Sequence, residues 1–514
     1  MNTETGRNVF KLTAVLAISA VMGLTGFAHA QSVEKTPDGK GKPKYVFVFV
    51  GDGMSYPQIQ SAAYYMGKDA SGTVNQVKKS GNPSDSPKGS QLSFFEFPVV
   101  GTAQTYDATS FAPDSASTAT SIFTGNKTHS GSIGVDITKK IKYPTIAEQL
   151  RDQKGWKIGV ISSVNINHAT PAATYAHVAS RKSNYEIGLQ LVESNFDYFA
   201  GGALMEPNDK GASKESIYDL AAKAGYKVCF KQDEAASLKN GDKALVIAET
   251  LADSDAFNYD NDRSENEWSL RDYVKKGIEV LDNKTGFFMM VEGGKIDWAC
   301  HANDARSSIA DTVALSEAVK EAIAFYNKHP KETLILVTAD HETGGLTIGY
   351  AGTDYNLFFR SLDSQKLSYA KFDSDYVADY KKNKTSFDDV MKDVEKLFGL
   401  KKPGSEGSSK DGGLVLTDYE YGRIRKAYEK TIKDDSSRNQ EEYDIYGTYE
   451  PLTITITHIL NAKCGIGWTS NSHTGLPVPV YALGAGQDIF TGYYDNTDIY
   501  KKMAELTKVS KIKE

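Results

Sequence analysis

Four short apolar runs, each stopping at polar residues, constrain this chain more than any other feature. Residues 45–50 read YVFVFV, 156–162 WKIGVIS, 287–291 FFMMV and 333–338 TLILVT. None alternates apolar with polar residues, which is how strands covered on both faces of a parallel sheet read. Each run is followed by groups able to bind a metal or an anion. Asp52 follows the first, between Gly51 and Gly53. The polar loop NINHATP, with His168 and Thr170, follows the second. Glu292, with Asp297 and His301 close behind, follows the third, and Asp340 with His341 the fourth. Ligands sit at the carboxyl ends of strands in open α/β sheets. The expected fold is therefore α/β, with a site along one sheet edge. An acid after a strand also serves as a cap or turn residue, so Asp52 alone does not decide between the two roles.

The 514 residues suffice for one large α/β domain with insertions, or for two or three ordinary domains. A net charge of -7 argues against a nucleic acid as specific partner. Residues 1–30 read as a signal peptide. Arg7 and Lys11 precede an apolar stretch over 12–27, and Ala28-His29-Ala30 forms a cleavage site. The mature chain is expected to begin at Gln31 and to be exported, periplasmic or secreted. The apolar stretch is short for a membrane span, and no later stretch reads as one. Cys229, Cys300 and Cys464 make no disulfide framework, and a single bridge cannot be assigned.

Along the chain, residues 31–44 read as a tail and 67–90 as a surface loop. Residues 94–102 read as a strand or a short helix. Pro113 and Asp114 start a helix that Gly125 can end. Ser115 then stands at a helix N-terminus, where free N–H groups favour an anion, or acts only as a cap. A helix is expected over 143–154, and short strands near 196–200 and 244–248. Asp297 and His301, four apart, share a face of any helix they occupy. Glu342 either joins Asp340 and His341, stands behind them, or is a surface acid. From about 352 to 446 Lys, Asp, Tyr and Ser dominate, the mark of an insertion with small helices of its own. Thr417 with Glu420 is a capping box, and Thr385 with Asp388 marks another helix ending near Gly399. His473 lies in the polar loop WTSNSHTG, before a last strand candidate, PVPVYAL. His129, His177, His329 and His458 read as structural.

Taken in order, GDGM, DSASTAT, HATPAA…AHVASRK, VEGGKIDWACH, TADHETGG and NSHTG closely resemble the alkaline phosphatases. The similarity is closest to bacterial, Vibrio-type forms with large insertions. It implies a three-layer sandwich with a large, mostly parallel central β-sheet flanked by helices. The catalytic domain would comprise 31–351 and 447–514, with 352–446 as a large loop clasping the partner subunit of a homodimer. It also implies phosphate monoester substrates, two Zn2+ and one Mg2+ per subunit. One zinc would be held by Asp297, His301 and His473, the other by Asp52, Asp340 and His341. Magnesium would be held by Asp52, Thr170 and Glu292. Ser115 resembles the nucleophile, Arg181 the phosphate clamp and Asp114 the acid orienting that clamp. Where the best-known enteric form has aspartate and lysine, this chain has His168 and Trp298. That departure leaves the third metal open between magnesium, cobalt and zinc.

These residue types suit the chemistry. Zinc lowers the pKa of a coordinated hydroxyl, and two metals suit both halves of an in-line displacement. Arginine can hold two phosphoryl oxygens at once, which lysine does less well. A related phosphodiesterase and a catalytically silent metal- or phosphate-binding protein are the rival readings. A sulfatase is disfavoured, because the expected nucleophile lies in DSAST rather than in a cysteine motif.

Overall fold

Ten strands make one sheet, and its register decides where the polar loops end up. They are β1 (Tyr45–Gly51), β2 (Val99–Gln104), β3 (Lys157–Asn165), β4 (Tyr198–Gly202), β5 (Lys227–Cys229), β6 (Ala244–Ile247), β7 (Phe287–Gly293), β8 (Thr333–Ala339), β9 (Val478–Gly484) and β10 (Gly492–Asp495). Their order is β10-β2-β9-β8-β1-β7-β3-β4-β6-β5. Every pairing is parallel except the two made by β9. This computed structural model describes residues 39–67, 92–208 and 215–510. The expected signal peptide and nearly all of the expected 67–90 loop lie outside the described residues.

The apolar runs become β1, β3, β7 and β8, adjacent at the sheet centre. All seven residues of β1, β7 and β8 are buried, which explains the missing alternation. In register, Gly51 stands opposite Gly293 and Ala339, and Val50 opposite Glu292. Asp52 and Asp340 are therefore the first residues past their strands at one height, with Glu292 two rungs lower. Parallel pairing without a slip is what brings three distant carboxylates to one edge.

Helices cover the sheet. The 24-residue helix Ala305–Lys328 packs across β1, β7 and β8, beside Leu270–Leu281 and Tyr56–Met66. Elsewhere Ser115–Thr124 packs against Thr497–Thr507. The undecided stretch 94–102 proves to be both things: a 3-10 turn, Ser93–Glu96, leads into β2. The helix expected over 143–154 starts at Ile146, because Thr145 and Glu148 form a capping box there. The short strands expected near 196–200 and 244–248 are β4 and β6.

The 352–446 segment carries Phe387–Phe398, which ends at left-handed Gly399, and Asp418–Lys433, capped by Thr417 and Glu420. Ser386, rather than Thr385, caps the first of these. Its apolar side chains Phe359, Phe372, Val390, Val394 and Phe398 merge with the main core. The helix Pro451–Cys464 then returns the chain to the sheet. Its sequence LTITITHIL alternates and is rich in β-branched residues, a strand-like composition. It folds as a helix because it is buried almost all round, packed on Asp418–Lys433, with Pro451 in its first turn and Gly465 closing it.

The turn after β1 requires a glycine. Gly53 has φ +68°, and a Cβ there would lie 2.8 Å from Thr343 Oγ1 and 3.1 Å from Asp297 Oδ1. Gly53→Ala is expected to store about 1–2 kcal/mol of left-handed strain and to push the loops beside Asp52 apart. The measurement is divalent-metal affinity by chelator competition, with far-UV circular dichroism as control. Weakened binding in a folded protein is expected; wild-type affinity would remove the turn's role.

Candidate active site

Asp114 and Ser115 open the helix Ser115–Thr124, all of which is buried. Asp114 Oδ1 caps the helix by accepting from Ser117 N at 3.1 Å, and also accepts from Gly131 N at 2.9 Å. Its Oδ2 accepts from Arg181 Nη1 at 2.9 Å. Burial would raise the Asp114 pKa, but the Arg181 charge and the Gly131 N–H outweigh it and hold it below the ordinary range. One carboxylate therefore caps the serine's helix and aims the arginine. Arg181 Nη2 donates to His168 Nε2 at 3.2 Å. Burial, reinforced by that guanidinium, lowers His168 to about 3, so its ring is neutral. Ser115 Oγ lies 3.1 Å from His341 Nε2 and 3.5 Å from Asp52 Oδ1.

Three groups of donors gather at this edge of the sheet, two of them sharing Asp52, and within each group one donor atom per residue lies within 4.8 Å of the others. The first is Asp297, His301 and His473. His301 Nδ1 donates to the Asn471 carbonyl at 2.7 Å, and His473 Nδ1 to the Pro113 carbonyl at 2.6 Å. In the neutral rings both Nε2 atoms then carry lone pairs, and they face each other at 3.1 Å. Asp297 oxygens lie 3.3 and 3.7 Å from these nitrogens. Only a proton or a cation reconciles that geometry.

The second group is Asp52, Asp340 and His341. Asp340 Oδ1 accepts from Gly53 N at 3.1 Å and from His341 N at 2.9 Å. Its Oδ2 is buried with no hydrogen-bond partner. His341 Nε2 lies 3.4 Å from Asp52 and 3.3 Å from Asp340. The third group is Asp52, His168 and Glu292. Thr170 Oγ1 joins it, donating to Asp52 Oδ2 at 3.3 Å. Ser162 donates to Glu292 Oε2, while Glu292 Oε1 and His168 Nδ1 are buried and unpartnered.

The electrostatics carry the same message. Burial, then the charges of Asp340, Asp297 and Glu292, push Asp52 well above the ordinary carboxylate range. Burial lifts Glu292 to about 7 and, with help from Asp297, Asp340 to about 8. Asp297 moves the other way: burial opposes its charge, but His301 and His473 overcome that and hold it well below its usual value. Burial likewise opposes a charged His301, yet Asp297 lifts it to about 9. Orphaned oxygens, facing lone pairs and carboxylates that resist ionising together all fit divalent cations, which would supply the missing partner and charge.

All the expected site residues therefore meet: Asp52, Asp114, Ser115, His168, Thr170, Arg181, Glu292, Asp297, His301, Asp340, His341 and His473, with the Trp298 ring 6.1 Å from His168. His177 and His458 are engaged elsewhere, with Glu148 at 3.0 Å and Asn303 at 2.9 Å. His129 bonds the Ser130 carbonyl, and His329 packs on Tyr45. Two contributors escaped sequence reasoning. Thr343 Oγ1 donates to Asp297 Oδ1 at 2.5 Å, and Ser162 to Glu292. Ser162 stands opposite Glu292 in the β3–β7 register, a signal that exists only once the pairing is known.

A mostly parallel sheet with these metal-donor groups at its carboxyl edge, beside a buried serine and an arginine fixed by a carboxylate, is the arrangement of a metal-dependent hydrolase. The chain belongs to the alkaline phosphatase family, whose model matches residues 43–509. Alkaline phosphatase 4 of Bacillus subtilis (strain 168) is 30% identical over 523 residues, covering 98% of this chain and 97% of the relative. A cold-active alkaline phosphatase from Shewanella sp. matches in structure with a TM-score of 0.71 and 26% identity, over 90% of this chain and 99% of that one. The Thermus thermophilus alkaline phosphatase shares the fold, with a TM-score of 0.70 at 22% identity, over 97% of this chain and 96% of its own.

Asp52 belongs to two donor groups and His301 to one. Asp52→Ala is expected to lower metal occupancy at both of its groups, and His301→Ala at one. Metal stoichiometry of the purified variants, by elemental analysis, checks this. Equal losses in the two variants would contradict the shared carboxylate.

Proposed function

We propose that the protein hydrolyses phosphate monoesters through a phosphoserine on Ser115. The observation carrying this reading is the placement of Ser115 Oγ, 3.1 Å from His341 Nε2 and 3.5 Å from Asp52 Oδ1, beside an arginine fixed by Asp114. The groups Asp297–His301–His473 and Asp52–Asp340–His341, with histidine nitrogens beside carboxylates, suit zinc. Asp52, Glu292 and Thr170 offer oxygen and suit magnesium; His168, whose Nε2 accepts from Arg181 and whose Nδ1 therefore carries the ring proton, would meet a third ion, magnesium, cobalt or zinc, only through a water. Bound, such ions would make the serine and a water more acidic and neutralise phosphoryl charge.

The chain's own groups do the rest. Arg181 presents two N–H groups to phosphoryl oxygens, its plane held by Asp114 and His168. Ser115 Oγ gives up its proton and attacks phosphorus in line. The Oγ–P bond forms as the ester P–O bond breaks, and the leaving oxygen is protonated. Water then attacks the phosphoserine, releasing inorganic phosphate and returning a proton to Oγ. At the helix N-terminus the dipole favours the anionic group throughout.

The test uses p-nitrophenyl phosphate against the bis-ester, with and without chelator, in wild type and Ser115→Ala. Monoesterase activity that chelation abolishes is expected, with a loss on the order of 10^3-fold or more in the variant. Preference for the bis-ester would favour a phosphodiesterase. Absence of chelator-sensitive activity would leave only a metal- or phosphate-binding role.

We further propose an exported homodimer. Export rests on the pattern of residues 1–30, and no helix among the described residues is long and apolar enough to cross a membrane. The dimer reading is supported by exposed apolar side chains on the two outermost strands at one side of the sheet: Val100 is 46% exposed and Tyr493 62%. Tyr493 pairs in register with Thr102, whose hydroxyl also bonds Tyr56 at 2.5 Å. The 352–446 segment, with Tyr355 and Tyr419 exposed, would reach over the partner. Val100→Asp with Tyr493→Asp is expected to shift the protein to monomer in sedimentation velocity, and a wild-type profile would refute this interface.

A further inference from the structure

Glu342 is fully buried. Four donors converge on its carboxylate. Gln58 Nε2 and Leu346 N donate to Oε1 at 2.7 and 3.2 Å. Gly345 N donates to Oε2 at 3.1 Å, and the Thr474 hydroxyl donates to the same oxygen. These donors lie on three segments that carry expected metal ligands. Gln58 also accepts from Ser55 N at 3.1 Å, which fixes the turn after Asp52. Gly345 and Leu346 close the turn that holds Asp340 and His341. Thr474 follows His473, and the two-residue strands Glu342–Thr343 and His473–Thr474 pair antiparallel. We infer that Glu342 is a positioning residue whose carboxylate ties the Asp52, His341 and His473 segments together and so sets the Asp52–Asp340–His341 and Asp297–His301–His473 groups relative to each other.

The physical reason is the number of acceptors. A carboxylate has lone pairs for all four donors, and charge strengthens each bond. A glutamine keeps one acceptor oxygen, and its NH2 would confront donors on the other side. The Gly345 N–H cannot turn away, so one segment must shift. Thr343, the next residue, carries the effect onward: its hydroxyl bonds Asp297 Oδ1 at 2.5 Å, and its own carbonyl accepts from Gln58 at 2.9 Å. Glu342 touches neither Ser115 nor Arg181 in any hydrogen bond. Its influence on the reaction therefore passes through the donor groups. Groups that hold metal ligands from behind typically change metal affinity 10- to 100-fold when removed, by order of magnitude.

The inference rests on the reading of these groups as metal sites, and the experiment separates the two. Zn2+ affinity is measured by chelator competition on wild type, Glu342→Gln and Thr474→Val. Co2+ absorption spectra report ligand geometry, and melting of the metal-free proteins reports general damage. Glu342→Gln is expected to bind Zn2+ about 10- to 100-fold more weakly at both the His341 and the His473 groups, with an altered Co2+ spectrum. Thr474→Val, which cuts one tie, is expected to weaken only the group containing His473. Unchanged affinities and spectrum in Glu342→Gln, with only a lower melting temperature, would overturn the positioning role. If Glu342→Gln does not fold, Thr474→Val decides: selective loss at the His473 group supports the tie, and no loss or equal loss at both groups overturns it. Failure of wild type to bind either ion would overturn the metal reading, and this inference with it.

Discussion

The burial of several carboxylates side by side, each removed from water and each repelling the next, is the constraint on which the rest of the structure turns. Asp52, Glu292 and Asp340 stand at one sheet edge, all buried, with Asp297 close by. Two like charges about 4 Å apart repel by about 4 kcal/mol at an effective dielectric near 20. Whole proteins have only about 5–15 kcal/mol of stability. A chain that assembles such a cluster needs cations there or must protonate it. Burial first, and then the neighbouring carboxylate charges, raise the pKa values of three of these acids, which is how the cation-free cluster expresses that demand.

The remaining architecture holds the donors so that cations are the favoured answer. His301 and His473 each spend one ring nitrogen on a backbone carbonyl, which turns the other inward. Asp340 spends one oxygen on two backbone N–H groups and leaves the second free. Gly53, in a left-handed turn, keeps a side chain out of the space beside Asp297 and Thr343. Lys295, buried and paired with Asp253 at 2.6 Å, lies beneath Trp298 with its ammonium 4.6 Å from that ring. The helix that presents Ser115 is capped by the carboxylate that orients Arg181, so nucleophile and clamp share one anchor.

Much of this was legible in the chain. Non-alternating runs announced central parallel strands, because a strand covered on both faces has no solvent side to mark. Acids and histidines after those runs announced the donor groups that the structure brings together. Other parts were hidden for physical reasons. LTITITHIL has the composition of a strand and becomes a helix, since burial on nearly every side removes the amphipathic signal. Residues 94–102 hold a turn and a strand within nine residues, too little for either period to show. Glu342 left three roles open, and only its burial and four donors decide among them.

The sequence by itself determined the class of fold, the nature of the donors and the glycines beside them, because those follow from hydrophobic period and side-chain chemistry. It also determined the order of the motifs, and with it the family. Tertiary structure alone decided that Gly51, Gly293 and Ala339 share one rung, and so that distant acids meet. It decided that two imidazoles face each other at 3.1 Å and that a serine hydroxyl stands between Asp52 and His341. Register and burial are relations between segments far apart in the chain, and no local pattern encodes them.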